Sequence, residues 1–436
     1  MHGWIDTIFP RRVLFQKDRR LWHLFLGRLF ASTGFSIVIP FLALYLHGTR
    51  GYAMSAVGFV FFVGALTGAA GQIVGGEWCD RHGRKVVLFW SQAIRSIAFL
   101  GLGLAITWNA PFLVFMALTS LSAFAGRMFE PPSGAMIADI AEGERRAEGY
   151  GVLRIGGNLG WALGPAIGGF LAALSYASLF FVAAGVLLTA AILIALKVEE
   201  TSPRHRRRMP VEAAAVEEIP AVGPVPPGRG FEFSSIGATL QDRAFLRYCI
   251  ITLIFFTVMA QLMSTLSVYV VEWAGHTQVE LGVLYTLNGL MVVFLQFPVV
   301  RLLTPFRLTT AMVAGSLLYV LGYWMMGLGS SFMLLAAAMF VVTSGEIVAS
   351  PASMNLVANF SSDDARGRYM GVYGLFNSFG WSVGPLVGGV LLDVAKGQPL
   401  LLWGPIAGLM LLAALGYWDL RRRIDPATDQ NKEGAT

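Results

Sequence analysis

The feature that most constrains this chain is a series of apolar stretches, each long enough to cross a bilayer, joined by short polar connections. About twenty helical residues traverse a hydrocarbon core of about 30 Å. Such stretches occur at 21–46, 54–76, 86–107, 112–138, 149–172 and 176–197, and again at 245–271, 281–302, 308–328, 332–357, 369–392 and 399–419. A helix satisfies its own backbone hydrogen bonds in lipid, so each stretch is expected to be helical. The predicted fold class is an all-α membrane protein with twelve transmembrane helices in two pseudo-symmetric six-helix bundles. Charged residues are only 13% of the 436, about half the share that keeps a soluble protein dissolved. Fifty glycines suit helices that approach closely in a membrane.

The polar connections alternate in charge. Arg81, Arg84 and Lys85, then Arg145 and Arg146, then Arg366 and Arg368, and finally Arg421, Arg422 and Arg423 fall on one side; Arg50 and Lys396 fall on the other. The positive-inside rule predicts a multi-pass protein of the inner (plasma) membrane with both termini cytoplasmic. The first apolar run starts at Leu21 and is too long for a cleaved signal. Residues 1–20 mix Trp4, Ile8 and Phe9 with Arg11, Arg12 and Lys17, a composition that suits the inner membrane surface.

The expected organisation is an interfacial segment at 1–20, a six-helix bundle at 21–198, a cytoplasmic linker at 199–243, a second bundle at 244–420 and a tail at 421–436. The linker carries the basic run Arg204 to Arg208 and the Pro- and Gly-rich stretch Pro220 to Gly230, a flexible composition. Basic residues beside spans are drawn to anionic lipid, so membrane lipid rather than nucleic acid is the expected partner. Cys79 and Cys249 imply no disulfide framework, and the six His are scattered, so no metal site is expected. There is no pairing of nucleophile and base and no phosphate loop. Gly156-Gly157-x-x-Gly160 lies inside a span. Neither an enzyme nor a cofactor is expected.

The two sets of spans repeat. An offset of 220 residues brings Gly151, Val152, Gly160, Trp161, Gly164, Pro165, Gly168, Gly169 and Leu171 onto Gly371, Val372, Gly380, Trp381, Gly384, Pro385, Gly388, Gly389 and Leu391 without a gap. The same offset pairs Pro131 with Pro351, Ser133 with Ser353 and Arg146 with Arg366. Parallel six-span halves around a central site are an established plan for secondary transporters.

After span two the sequence reads Gly76-Glu77-Trp78-Cys79-Asp80-Arg81-His82-Gly83-Arg84-Lys85, and span five carries Gly160-x-x-x-Gly164-Pro165-x-x-Gly168-Gly169. Both patterns resemble the major facilitator superfamily: the first its signature loop, the second the antiporter motif of its exporting members. Phe129-Glu130-Pro131-Pro132 and Arg366-Gly367-Arg368-Tyr369-Met370-Gly371 make the chain most similar to the twelve-span drug:H⁺ antiporters. The resemblance covers all but the linker and tail.

By that resemblance Asp80 latches the halves by facing the N-terminus of span eleven, whose unpaired N–H groups carry partial positive charge. Arg84 then pairs with Asp139 at the end of span four. Gly76 and Gly83 allow close packing and a sharp turn. The competing reading is a solvated basic loop that only sets topology. The corresponding stretch in the second half, Arg301 to Arg307, lacks the pattern. In the antiporter motif, Gly160, Gly164 and Gly168 lie on one helix face with Gly169 beside it, and Pro165 is expected to bend the helix. Such a face can slide on a neighbour, or simply pack closely.

Intramembrane charges are functional candidates, because burying one is costly. Arg28, Arg95, Arg127, Glu130, Arg154 and Glu346 stand out. At about 1.5 Å per residue, Arg95, Glu130 and Glu346 lie roughly 15, 13 and 20 Å deep. A proton carrier must change charge at accessible pH. Arginine does not, whereas a buried carboxyl can. Glu346 has no Arg within reach on its own helix and is the favoured carrier. Glu130 is the second candidate, although one turn from Arg127 it can instead form a structural pair with Arg127 or Arg154.

Four deep Arg against one deep acid in the first half suit an anionic or zwitterionic amphiphile. The alternative is that they bind carbonyls and acids, including Glu346 across the cavity. Met116 to Ser122 lacks the Arg this family carries early in span four. Asn158, Tyr373 and Asn377 are further cavity candidates. Pro131, Pro132 and Pro351 are expected to kink spans four and ten. The expectation is a monomeric antiporter that exports a small amphipathic molecule against protons. Alternatives are a lipid or lysolipid transporter, proton-linked nutrient uptake, or a membrane receptor that transports nothing.

Overall fold

The computed structural model describes residues 19–140, 144–202, 239–361 and 365–430. The N-terminal interfacial segment, most of the linker and the end of the tail lie outside these residues, as do the side chains of Arg145, Arg146 and Arg366. The described residues form twelve long apolar helices and no strand. In the first half they are Arg19–Thr49, Met54–His82, Arg84–Thr107, Phe112–Ile140, Gly149–Leu174 and Tyr176–Lys197; in the second, Arg243–Trp273, Gln278–Gln296, Leu308–Leu328, Phe332–Phe360, Arg368–Ala395 and Pro399–Arg423. They are numbered spans one to twelve. The end of the bundle that carries both described termini is called proximal, the other distal.

Three spans depart from the expected form. Span two continues to His82, so the signature stretch is its last turns and not a loop. The chain turns at Gly83 alone, at φ +94°, where a side chain would be strained. Span four stops as a helix at Arg127 and resumes at Glu130, the place that Pro131 and Pro132 predict. Pro351, by contrast, leaves Phe332–Phe360 one continuous helix. Span seven is interrupted by a 3₁₀ turn at Ala260–Leu262. There the Gln261 amide donates to the carbonyls of Thr257 at 2.8 Å and Gly384 at 2.9 Å, which satisfies the freed backbone.

A third span is capped from afar in each half. The Glu200 carboxylate, just past span six, accepts from the backbone N–H of Arg84 at 3.1 Å and Lys85 at 3.0 Å, the first two residues of span three. Asp429, just past span twelve, accepts from Thr309 N at 2.8 Å and from the Thr309 hydroxyl at 2.6 Å at the start of span nine. Each carboxylate sits where unpaired N–H groups and the helix dipole favour an anion. Burial nevertheless pushes the Asp429 carboxyl above its usual range.

The glycine faces organise each half. A Cβ at Gly160, Gly164 or Gly168 would strike span one, at Ser32, Ser36 or the Ile37 carbonyl; at Gly380, Gly384 or Gly388 it would strike span seven. The last glycine of each set crosses to the other half. Gly169 lies against Gln278 and Gly282 of span eight, and Gly389 against Met54 of span two. Gly58 meets Pro385 in the same manner. These approaches draw the halves together toward their distal ends. The second half also has its own aromatic core, with Tyr248, Tyr269, Tyr319, Tyr323, Trp403 and Tyr417 fully buried.

Candidate functional site

A cavity of about 430 Å³ lies between the halves. Its polar lining comes mainly from the first half: Arg28 and Ser32 of span one, Gln92 and Arg95 of span three, and Thr119, Ser122, Arg127 and Glu130 of span four. The second half adds Met263 of span seven and Asn377, Trp381 and Pro385 of span eleven.

The cations are held in different ways. Arg28 Nη1 meets Glu130 Oε1 at 2.7 Å, and its guanidinium lies over the Phe129 ring at 5.7 Å. The expected Glu130–Arg127 pair is therefore replaced by a pair across two helices. That expectation needed an unbroken helix, but the turn at Met128 and Phe129 separates the two residues. Arg95 is 8% exposed. Its guanidinium lies over Phe35 at 4.2 Å and Phe99 at 5.8 Å, and it packs on Gly126 of span four, where no Cβ obstructs it. Its buried Nε has no hydrogen-bond partner. Arg127 is exposed toward the same space and pairs with no described acid. With Arg28 neutralised by Glu130, the cavity keeps two cationic side chains free among the described residues.

Glu346 stands apart from this lining. Its Oε2 accepts from Asn288 Nδ2 of span eight at 3.0 Å, and the same amide donates to Thr343 at 3.0 Å. The charge of Arg154 on span five acts on it from the other half. Arg154, Asn158 and Tyr373 are not among the lining residues either. Tyr373 is turned into the second-half core, 2.9 Å from the Ser353 hydroxyl and stacked on Tyr248. Asn377 does line the cavity.

At the signature stretch, Arg84 forms an ion pair with Asp139 and donates to the Ala135 carbonyl at 2.7 Å. Arg81 pairs with Glu77 one turn back. Asp80 is exposed and pairs with no described residue. At the distal end, Asp393 of span eleven accepts from Met54 N at 2.9 Å and Ser55 N at 2.8 Å at the start of span two. His47 Nε2 and Glu272 Oε2 meet there at 3.3 Å. Sequence reading missed Asn288, Glu200, Asp393, His47 and Glu272. Asn288 alone carried a signal, as an amide inside an apolar run. The others sit at span ends, where a charge is ordinarily solvated.

The arrangement has a cationic, partly apolar cavity between two related bundles, and a carboxyl held where the bundles meet. It matches known transporters along most of its length. The Major Facilitator Superfamily pattern matches residues 24–305 and 274–435. The multidrug resistance protein MdtH of Proteus mirabilis is 26% identical over 415 residues, which cover 93% of this chain and 96% of that protein. A Na⁺, Li⁺, K⁺/H⁺ antiporter of Planococcus maritimus is 26% identical, with 83% of this chain and 86% of that one covered. The inward-facing, unoccupied crystal structure of a bacterial homologue of the human lysosomal transporter Spinster superposes with a TM-score of 0.74 at 17% identity, covering 93% of this chain and 98% of that one. The chain is a multi-pass membrane transporter, all-α with twelve spanning helices, and it belongs to the major facilitator superfamily.

Proposed function

We infer that this transporter exports an anionic or zwitterionic amphiphile in exchange for protons. One observation carries the substrate class: Arg95 and Arg127 face an apolar-walled cavity with no acid paired to them among the described residues. A cavity for cationic drugs gains nothing from two such charges, whereas a carboxylate or phosphate headgroup supplies the missing acceptor. Phe35, Phe99 and Trp381 accommodate its apolar body. The names of the MdtH and cation/H⁺ antiporter relatives favour efflux and proton exchange.

Glu346 is the proton carrier in this scheme. It is held by Asn288, next to Gly289, which packs on Ala162 of the opposite half, so a rocking motion of the halves changes the surroundings of its carboxyl. Glu130 is engaged by Arg28 at 2.7 Å as part of the cavity wall. If the termini are cytoplasmic, the distal end lies outside the cell, and the closed distal contacts correspond to an inward-facing state. One chain lines the whole cavity, which suits a monomer acting in the plasma membrane with lipid around it.

Proteoliposomes carrying a pH-sensitive dye test the scheme. A lysophosphatidic acid and a quaternary ammonium dye serve as anionic and cationic probes. The expected result is proton movement with the anionic probe, lost in Arg95→Gln. Coupling through Glu346 predicts that Glu346→Gln abolishes flux driven by a pH gradient. Proton-coupled flux of the cationic probe alone would overturn the substrate class. Wild-type gradient-driven flux in Glu346→Gln would overturn the carrier.

A further inference from the structure

Spans one and seven, the corresponding first spans of the two halves, both end distally in a π-helical turn, at Tyr45–Thr49 and Tyr269–Trp273. These are the two π-helical turns among the described residues, a geometry often associated with functional positions. Each turn presents one ionisable residue to the other half. His47 Nδ1 lies 2.7 Å from the Tyr52 carbonyl oxygen. That oxygen can only accept, so Nδ1 carries a proton. Nε2 then faces Glu272 Oε2 at 3.3 Å. A neutral imidazole with its proton on Nδ1 would turn a lone pair toward a carboxylate, and the contact would be repulsive. The contact is attractive when one more proton is present, either as imidazolium or as the carboxylic acid. The two side chains are 28% and 24% exposed, so water screens the contact only in part.

We propose that His47 and Glu272 form a proton-binding site built from both halves, and that its occupancy is a condition for closing the distal end. The surrounding charges agree. Asp393 of span eleven is a further carboxylate within electrostatic reach of His47. Tyr176 at the start of span six is the other titratable side chain within electrostatic reach of Glu272. Arg50 is turned to the Tyr45 and Tyr52 hydroxyls and the Ala110 carbonyl, and His276 is held by Glu280 and the Ser330 carbonyl. When the halves part distally, the pair separates and loses its reason to hold the extra proton. External acid therefore drives closure. This site is distinct from Glu346 and does not depend on the nature of the substrate, although calling its side external rests on cytoplasmic termini.

The test measures the distal separation in the full chain in nanodiscs by electron–electron double resonance. Spin labels go on Thr49→Cys in the first half and Gln398→Cys in the second; both positions are exposed, and the native Cys79 and Cys249 are buried. Linkage to one proton predicts that the ratio of closed to open distances rises by up to about tenfold for each pH unit lowered through the titration. Glu272→Gln supplies an amide that donates to neutral His47 without an added proton, so its ratio should not depend on pH. His47→Gln should flatten the profile as well. A titration that persists in Glu346→Gln but vanishes in Glu272→Gln assigns the proton to the distal pair. A wild type with no pH response, a Glu272→Gln variant that titrates like wild type, or a response lost only in Glu346→Gln would overturn the proposal.

Discussion

Replacing Asp393 with Ala should open the distal end. Asp393 Oδ1 accepts a hydrogen bond from Met54 N–H at 2.9 Å and Oδ2 one from Ser55 N–H at 2.8 Å. These are groups that span two cannot pair within its own helix, and Ala53 at its N-cap offers no side-chain acceptor. The carboxylate is thus an N-cap borrowed from the opposite half. Losing a capping side chain costs about 0.5–2 kcal/mol. In the open state water replaces the carboxylate, so the loss falls on the closed state alone. At about 1.4 kcal/mol per tenfold, the ratio of closed to open molecules should fall about two- to thirtyfold. Asp393→Asn keeps one acceptor oxygen but loses the charge, so it should fall between wild type and Asp393→Ala. The double-resonance distance between Thr49→Cys and Gln398→Cys reads the ratio directly. An Asp393→Ala protein with the wild-type distribution would refute the reasoning, and so would an Asp393→Asn protein more open than Asp393→Ala.

The remaining predictions concern packing and caps. Gly389→Val drives a side chain into the Met54 carbonyl and should shift the same distance distribution to the open form, whereas the equivalent change at Gly374, where a Cβ meets nothing within 4 Å, should leave it unchanged. Glu200→Ala removes the acceptor for Arg84 and Lys85 N–H and should lower stability by about 1 kcal/mol, read as a lower melting temperature in detergent. Asp429 gives a pH effect. Burial raises its folded carboxyl above the unfolded value, so the folded chain holds this proton to higher pH. Its contribution to stability then falls as pH rises from the ordinary Asp range through the raised value. Asp429→Asn should flatten that part of the melting-temperature profile.

The fold was legible because lipid permits few answers. Twelve apolar runs can only be helices, and the 220-residue offset between Gly151–Leu171 and Gly371–Leu391 exposes the repeat. Cavity cations were legible for the same reason: Arg28, Arg95 and Arg127 are conspicuous where charge is costly, and all three line the cavity. Their partners were not. Local spacing put Glu130 with Arg127, yet two prolines break span four between them and Arg28 takes the carboxylate. Tyr373 looked like a cavity aromatic, but its face of span eleven is set by Ser353 and Tyr248, which helical periodicity cannot disclose. Long-range caps leave even less trace. Glu200 and Asp429 stand outside the apolar runs, and nothing nearby in sequence marks the helix that each one reaches.

The position of Asp393 offers a counterpart to the latch proposed for Asp80. Spans two and eleven run antiparallel and touch where Gly58 meets Pro385. At the distal end, the start of span two meets a carboxylate from the end of span eleven. At the proximal end, the start of span eleven would meet Asp80, from the end of span two, once the halves closed there. Asp80 is exposed while the distal cap is made. Two helices rocking about a contact near one end cannot close both ends at once, so the pair carries one cap at a time. Asp393 is an exposed carboxylate on helix N–H groups, and the cap proposed for Asp80 would be of the same kind and the same order of strength. Neither closed state would then be favoured by these caps alone, and the balance would be left to what differs between the ends: the cargo in the cavity, the charge proposed to change on Glu346, and the proton proposed between His47 and Glu272.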